Sequence, residues 1–105
     1  MILLDKKNFE DEVLKSEGLT LVDFFGDGCV PCEALMPHVT KFSEMYGEQI
    51  KCCKLNVSKA RRVAIGQQVL GLPTIIMYKD GVKAEELVKE DATPDAVEAM
   101  MKKYL

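Results

Sequence analysis

Cys29 and Cys32 are the residues of this sequence best suited to chemistry, because only two residues separate them. On the first turn of a helix, two cysteines at this spacing can close a small disulfide ring. The helix N-terminus would lower the pKa of the Cys29 thiol, so we expect Cys29 to attack disulfides and Cys32 to resolve the mixed disulfide. Pro31 would stiffen the ring without harming the helix start. Zinc sites use the same spacing, so the pair alone leaves redox chemistry and metal binding open.

Three further residues could serve as thiols or ligands. Cys52 and Cys53 are adjacent on a predicted strand, so their side chains should point to opposite faces. We expect one of them to be a small buried hydrophobe and the other a partly exposed thiol, with a regulatory thiol as the alternative. A zinc module that uses both cysteine pairs stays open, although such sites usually take two spaced pairs. His38, the only histidine, is expected at the surface rather than as a ligand.

The elements around the Cys29–Cys32 pair favour redox chemistry. Residues 19–25 form a short, nearly continuous apolar run, which predicts a strand covered on both faces. Apolar residues then recur at helical spacing from Pro31 to about Tyr46, where Gly47 ends the run. Pro37 falls inside this helix and should kink it. A cysteine pair between a buried strand and a helix is more typical of a thiol–disulfide site than of a zinc knuckle.

The rest of the chain alternates between helical and strand patterns. The predicted strands are a short one at Ile2–Leu4, one over 51–57, and one over 74–78 that turns at Asp80-Gly81 into a hairpin. The first predicted helix is capped by Asn8 and ended by Gly18, and the second is capped by Ser58 and ends near Gly66. The last helix begins at Thr93-Pro94. We therefore predict one α/β domain over residues 1–105. Its central mixed sheet should be flanked by helices on both faces.

Composition excludes several classes of function. The chain has 105 residues and a net charge of −3, so no basic field favours nucleic acid. No apolar run is long enough for a membrane span or a signal peptide, and we expect a cytoplasmic protein. In a reducing compartment, a close cysteine pair is more often catalytic or metal-binding than structural. A monomer is the default expectation.

Several motifs together resemble the thioredoxin family, and the resemblance covers essentially the whole chain. In the family's order they are Val22-Asp23-Phe24-Phe25 before Cys29-Val30-Pro31-Cys32, then Pro37, Lys54-Leu55-Asn56-Val57, Gly71-Leu72-Pro73-Thr74 and Lys79-Asp80-Gly81. The resemblance implies a thioredoxin fold and a protein disulfide reductase. It also implies no cofactor or metal beyond the redox-active disulfide. The implied partners are a flavin-dependent thioredoxin reductase and disulfide-containing substrate proteins.

The resemblance also assigns roles to individual residues. Asp23 would lie beneath the cysteine pair, where a raised pKa lets it relay a proton to or from Cys32, and Lys54 would modulate Asp23. Pro73 would follow a cis peptide bond and present the backbone near Leu72 to an extended substrate segment. The implied substrate-binding residues are Gly28, Val30, Pro31, Leu72 and Pro73.

The sequence departs from the family pattern near the cysteines. Gly28 stands where tryptophan is usual, Val30 replaces a glycine, Glu33 replaces a lysine, Phe25 occupies a position that is commonly tryptophan, and Lys89 stands where a glycine often faces the active site. The Gly-Cys-Val-Pro-Cys variant resembles thioredoxins of amino-acid-fermenting anaerobes, which serve glycine- or sarcosine-reductase systems. An interaction domain of the same fold without useful catalysis is the remaining alternative.

Overall fold

The computed structural model describes residues 1–105 and is organised around one five-stranded mixed sheet. Strands β1 to β5 cover Ile2–Leu4, Leu19–Phe25, Ile50–Asn56, Thr74–Lys79 and Val82–Val88, and helices α1 to α3 cover Val30–Tyr46, Arg61–Gly66 and Pro94–Lys103. A short π-helical segment spans Glu10–Leu14, and a 3-10 turn spans Lys89–Asp91. The strand order is β1-β3-β2-β4-β5, in which β1 and β2 run parallel to β3, and β4 runs antiparallel to β2 and β5. The predicted α/β architecture is confirmed.

Strand β2 is the central strand, because it pairs with β3 on one side and β4 on the other. Its five inner residues, 20 to 24, are all buried, as a strand covered on both faces requires. Successive side chains of β2 alternate between two cores. Leu21 faces the core built with α1 and α3, whereas Val22 and Phe24 face the opposite core.

The two cores explain why the helices lie on both faces of the sheet. On one face, α1 and α3 bury their apolar stripes, which are Leu35, Val39 and Phe42 from α1 and Val97, Met100 and Met101 from α3. On the other face, Phe9 and Val13 of the first helical segment pack with Ala60, which precedes α2. None of these helices combines the length and the apolar composition that a membrane-spanning helix needs.

The predicted hairpin turn and the predicted cap of the last helix are both present in the structure. Asp80 and Gly81 both have positive φ, at 51° and 80°, which the two-residue hairpin turn requires. Thr93 caps α3, since its Oγ1 accepts a hydrogen bond from the Ala96 N–H at 3.1 Å.

Gly18 also has positive φ, but it lies beyond the end of the first helical segment. Its N–H donates to the Asp80 carboxylate at 2.7 Å and so ties the start of β2 to the hairpin turn.

The predicted cap at Asn8 is wrong by three residues. The Asp5 Oδ1 accepts hydrogen bonds from the Lys7 and Asn8 N–H groups, and the Phe9 N–H donates to the Asp5 carbonyl. Asp5 is therefore the residue that begins the helical turn. The Asn8 side chain returns the contact by accepting from the Asp5 N–H at 2.8 Å, which completes a reciprocal capping arrangement.

Candidate functional site

The Cys29–Cys32 pair lies where β2 gives way to α1, and its two sulfurs are bonded. The Cα atoms are 5.2 Å apart, which is within the usual range for a disulfide. Cys29 is the N-cap of α1, because its Sγ accepts a hydrogen bond from the Cys32 N–H at 3.3 Å. Cys32 is only 3% exposed, whereas Cys29 is half-buried. The outer sulfur is thus the one that another protein can approach.

The loop that leads to Cys29 is held by polar residues that the sequence analysis missed. The Asp27 N–H donates to the Ser58 Oγ at 3.1 Å, and the Asn56 amide donates to the Asp27 carboxylate at 3.0 Å. The predicted helix cap at Ser58 is therefore wrong, since the hydroxyl supports this loop while α2 begins after Ala60 without a side-chain cap. The only sequence signal for this clamp was a pair of polar residues at a strand end.

Asp23 is buried in β2 with no compensating hydrogen bond. It is 1% exposed, and neither carboxylate oxygen has a partner. Desolvation raises its pKa from 3.8 to about 7, and the charge of Lys54 opposes part of that shift. Because Leu21 faces the core that contains α1, Asp23, two residues further along β2, faces the same side. A carboxyl group that exchanges its proton near neutral pH therefore lies on the face covered by the helix of Cys32.

Lys54 joins this buried acid to the neighbourhood of Cys32. It lies directly opposite Asp23 in the pairing of β3 with β2 and is half-buried. With Cys32 and Glu33 it lines a pocket of about 220 Å³ beside the inner sulfur. The structure thus pairs Asp23 with Lys54 across two strands and places Lys54 in the wall of the pocket that Cys32 lines. The catalytic roles of both residues stay predictions.

The predicted substrate-binding residues lie on two segments, the start of α1 with the loop before it and the loop before β4, and their role in binding stays a prediction. The Leu72–Pro73 peptide bond is cis, as expected. Pro73 and Pro31 line one groove of about 340 Å³, so the first turn of α1 and the proline loop form a common surface. Gly28 is exposed, and Val30 is 73% exposed at the tip of the ring. Leu72 is half-buried, and its Cδ1 packs closely against the backbone of Gly26.

Lys89 lies next to the proline loop in a backbone conformation that side chains seldom adopt. Its φ is 54°, and its N–H donates to the Pro73 carbonyl at 2.7 Å. The aliphatic part of its side chain lies across Gly71, where a Cβ atom would collide with it. Lys89 therefore covers the loop that precedes the cis bond and lines the same groove as Pro31 and Pro73. The exposed side chain of His38 also lines this groove.

The expectation that Cys52 or Cys53 is partly exposed is wrong. Both are buried because a hydrophobic core covers each face of β3, with Cys52 in the core that contains α1 and Cys53 in the opposite core. Burial raises the pKa of the Cys52 thiol to about 11 and that of Cys53 to about 12. Since the two thiols lie on opposite faces of the sheet, the four cysteines do not come together as the zinc module requires.

A redox disulfide at the start of a helix, after the central strand of a mixed sheet, defines the class of thiol–disulfide oxidoreductases. The thioredoxin family model matches residues 1–103. A thioredoxin of Acetoanaerobium sticklandii is 57% identical over 105 residues, covering both chains completely. A thioredoxin of Peptoclostridium acidaminophilum is 50% identical over 105 residues, covering all of this chain and 96% of that one. The chain belongs to the thioredoxin family. Its members are disulfide oxidoreductases that use their own redox-active disulfide.

Proposed function

We propose that this chain, acting as a single domain, reduces disulfides in other proteins through Cys29 and Cys32. The Cys29 thiolate attacks one substrate sulfur, breaks the substrate disulfide and releases the other substrate sulfur as a thiolate. The Cys32 thiolate then attacks the Cys29 sulfur and releases the second substrate thiolate, which leaves the Cys29–Cys32 disulfide. The observation that carries this proposal is the half-buried Cys29 sulfur that accepts the Cys32 N–H at the helix start.

Asp23 is proposed to take the proton of the Cys32 thiol as Cys32 attacks. Its pKa of about 7 matches proton exchange near neutral pH, where a group serves as both acid and base. Lys54, which pairs with Asp23 and lines the pocket beside Cys32, would stabilise the charged carboxylate before it accepts the proton. Lys54 is thus a positioning and tuning residue in this proposal.

An extended substrate segment is proposed to bind along the groove between Pro31 and Pro73. Gly28 and Val30 would form the exposed edge of this binding surface, and the backbone near Leu72 would pair with the segment as an added strand. A proline in the loop supports this arrangement, since Pro73 has no N–H to compete with that pairing.

A flavin-dependent thioredoxin reductase is proposed to return the disulfide to the dithiol. The relatives from amino-acid-fermenting clostridia support a further electron transfer to a glycine- or sarcosine-reductase system. A monomer in the cytoplasm, where thiols are kept reduced, fits this cycle. If the partner set is specialised, the reductase of the same organism should reduce this protein faster than a reductase from an unrelated bacterium. Equal rates would contradict the specialised partner set.

Insulin reduction driven by dithiothreitol tests the core of the proposal. We expect wild type to accelerate the reaction and Cys29→Ser to abolish the acceleration. When the reduced Cys32→Ser variant is mixed with insulin after dithiothreitol has been removed, it should accumulate a mixed disulfide with insulin, because the resolving thiol is missing. Cys52→Ala is the matched control, since it removes a thiol buried away from the site, and it should keep wild-type activity. Activity in Cys29→Ser would contradict the assigned nucleophile, and an inactive wild type would favour the non-catalytic interaction domain.

A further inference from the structure

Four cationic side chains surround one pocket at the edge of the sheet. The pocket has a volume of about 310 Å³ and is lined by Lys6, Lys59, Arg61 and Arg62, together with Ser58, Ala60 and Val63. No acidic side chain lines it, and none of the four cations takes part in an ion pair of the chain. We call these four residues and their pocket the cationic pocket. No ion pair of the chain therefore offsets the positive charge of the cationic pocket.

The fold assembles this pocket from distant parts of the chain. Lys6 follows β1, whereas Lys59, Arg61 and Arg62 follow β3. Because β1 and β3 pair in parallel, with Leu4 opposite Leu55, the residues after both strands meet at the same edge of the sheet. The whole chain carries a net charge of −3, so the cationic pocket is a local region of positive charge on a protein that is acidic overall.

The cationic pocket is linked to the redox site by a row of neighbouring pockets. It shares Lys59 and Ala60 with a pocket of about 350 Å³. That second pocket shares Phe25 and Lys54 with the pocket that Cys32 lines. We call these three adjoining pockets, from Cys32 to the four cations, the groove. Ser58 makes a second link, because it lines the cationic pocket and accepts the Asp27 N–H two residues before Cys29.

Charge becomes more positive along this groove. At the Cys32 end, one acidic and one basic side chain, Glu33 and Lys54, line the pocket. In the middle, one carboxylate oxygen of Asp5 already accepts two backbone N–H groups, and Lys54 and Lys59 add positive charge. The far end holds the four cations and no acidic side chain. An acidic group of a partner is therefore attracted most strongly at the far end.

We propose that this groove docks substrate proteins whose acidic residues are set apart in sequence from the disulfide that is reduced. The inference rests on the proposed reductase function and specifies the substrate class that the site prefers. The substrate disulfide meets Cys29, the neutral intervening residues cross the middle of the groove, and the acidic residues reach Arg61 and Arg62. Opposite charge speeds encounter between proteins, and salt screens it.

Two synthetic cystine peptides test this docking surface. Both carry the same disulfide and the same neutral spacer, and they end in a short run of either Glu or Gln. The second-order rate constant for reduction by the dithiol protein is measured for each peptide. At low ionic strength we expect the Glu peptide to react about tenfold faster. In about 1 M salt, where the screening length is roughly 3 Å, the ratio should approach one.

Two charge-matched double variants locate the effect. Arg61→Gln/Arg62→Gln should bring the Glu-to-Gln rate ratio close to one. Lys41→Gln/Lys79→Gln also removes two exposed positive charges, but from residues outside the groove, and should keep the wild-type ratio. Equal rates for both peptides with wild type, or an equal fall of the ratio in both variants, would overturn the docking surface. If wild type reduces neither peptide, the proposed reductase function itself is overturned.

Inorganic phosphate distinguishes a protein-docking surface from a site for a free anion. At matched ionic strength, a Glu peptide without cysteine should compete with the Glu substrate, whereas millimolar phosphate should leave the rate ratio unchanged. A ratio abolished by phosphate as effectively as by the Glu peptide would overturn the assignment to an acidic protein segment.

Discussion

Asp23 and Lys54 lie opposite each other in the parallel pairing of β2 with β3, the first fully buried and the second half-buried. The carboxyl group has no hydrogen-bond partner, so the nearby ammonium group is its principal source of charge stabilisation. This pair connects the stability of the fold to the proton that Asp23 is proposed to take from Cys32. Its consequences can be measured separately on stability and on titration.

Asp23→Ala should stabilise the protein at alkaline pH and not at acidic pH. The folded pKa of about 7 lies above the ordinary value of 3.8, so folding favours the protonated acid. The resulting penalty is absent below about pH 4, grows as the pH rises, and is complete above about pH 7. A pKa shift of this size corresponds to a folding penalty of about 4 kcal/mol. Asp23→Ala removes this penalty but leaves a small cavity, so the net gain in the free energy of unfolding should be about 3 kcal/mol at pH 8. Urea unfolding across this pH range measures the difference.

Thr20→Val is the matched control for that prediction. Thr20 is also buried in β2, and its hydroxyl also lacks a partner, but it does not ionise. Replacing it with valine should change stability by the same amount at every pH. If the stabilities of wild type and Asp23→Ala run parallel from acid to alkali, the pKa of Asp23 is the same in the folded and unfolded protein, and burial does not raise it.

Lys54→Met should raise the pKa of Asp23 above its value of about 7. The charge of Lys54 lowers that pKa in wild type, and methionine keeps most of the side-chain volume without the charge. The titration of the Asp23 carboxyl carbon, followed by NMR in the oxidised protein, measures the shift. Lys51→Met is the control, because Lys51 forms an ion pair with Glu12 and should leave Asp23 unchanged. An unchanged or lower pKa in Lys54→Met would contradict the coupling.

The four cysteines of the reduced protein should react with iodoacetamide at very different rates. Near neutral pH we expect Cys29 to be alkylated first, because its sulfur is the accessible one and accepts the Cys32 N–H. Cys52 and Cys53 should stay unmodified, because burial both shields them and raises their pKa values to about 11 and about 12. Mass spectrometry of timed digests gives the rates. All four should react in guanidinium, and native-state labelling of Cys53 as fast as Cys29 would contradict its burial.

Gly28→Ala should destabilise the protein by about 1 kcal/mol, since Gly28 has a φ of +66° that side chains disfavour. Space is not the cause, because a Cβ at this position would meet no atom within 4 Å. Gly66→Ala is the matched control: it is equally open, lies in α2 without positive φ, and should stabilise by roughly 0.5 to 1 kcal/mol. Thermal unfolding of both variants compares them. A neutral Gly28→Ala would show that the loop before Cys29 relaxes without cost.

Local patterns predicted the elements that hold the disulfide. The bounds of β2, the hairpin turn at Asp80-Gly81 and the cap at Thr93 each follow from a few neighbouring residues, and the structure has them where expected. The choice between Asp5 and Asn8 as the cap could not be made, because both types of side chain cap helices and both take part. The same limit applies to Ser58, whose partner Asp27 is 31 residues away in the chain.

Features that depend on strand pairing were beyond the sequence. The adjacent positions of Cys52 and Cys53 predicted one buried and one partly exposed thiol, but both faces of β3 are covered, since Cys52 packs in the core with α1 and α3 and Cys53 packs in the core with Phe9 and Val13. The cationic pocket depends on strand pairing, since only the parallel alignment of β1 with β3 brings Lys6 to Arg61. The rise in the pKa of Asp23 was predicted from its apolar neighbours and from family resemblance, whereas the absence of any hydrogen-bond partner required the structure.

The separation of Cys52 from Cys53 has a consequence for the lifetime of the protein. These two thiols are adjacent in the chain, but they lie on opposite faces of the sheet and cannot reach the Cys29–Cys32 pair. The folded protein should therefore form few non-native disulfides, even when it is oxidised and reduced repeatedly. When β3 unfolds, Cys52 and Cys53 become accessible. Unfolding of the sheet should therefore lead to non-native and intermolecular disulfides rather than to reversible refolding.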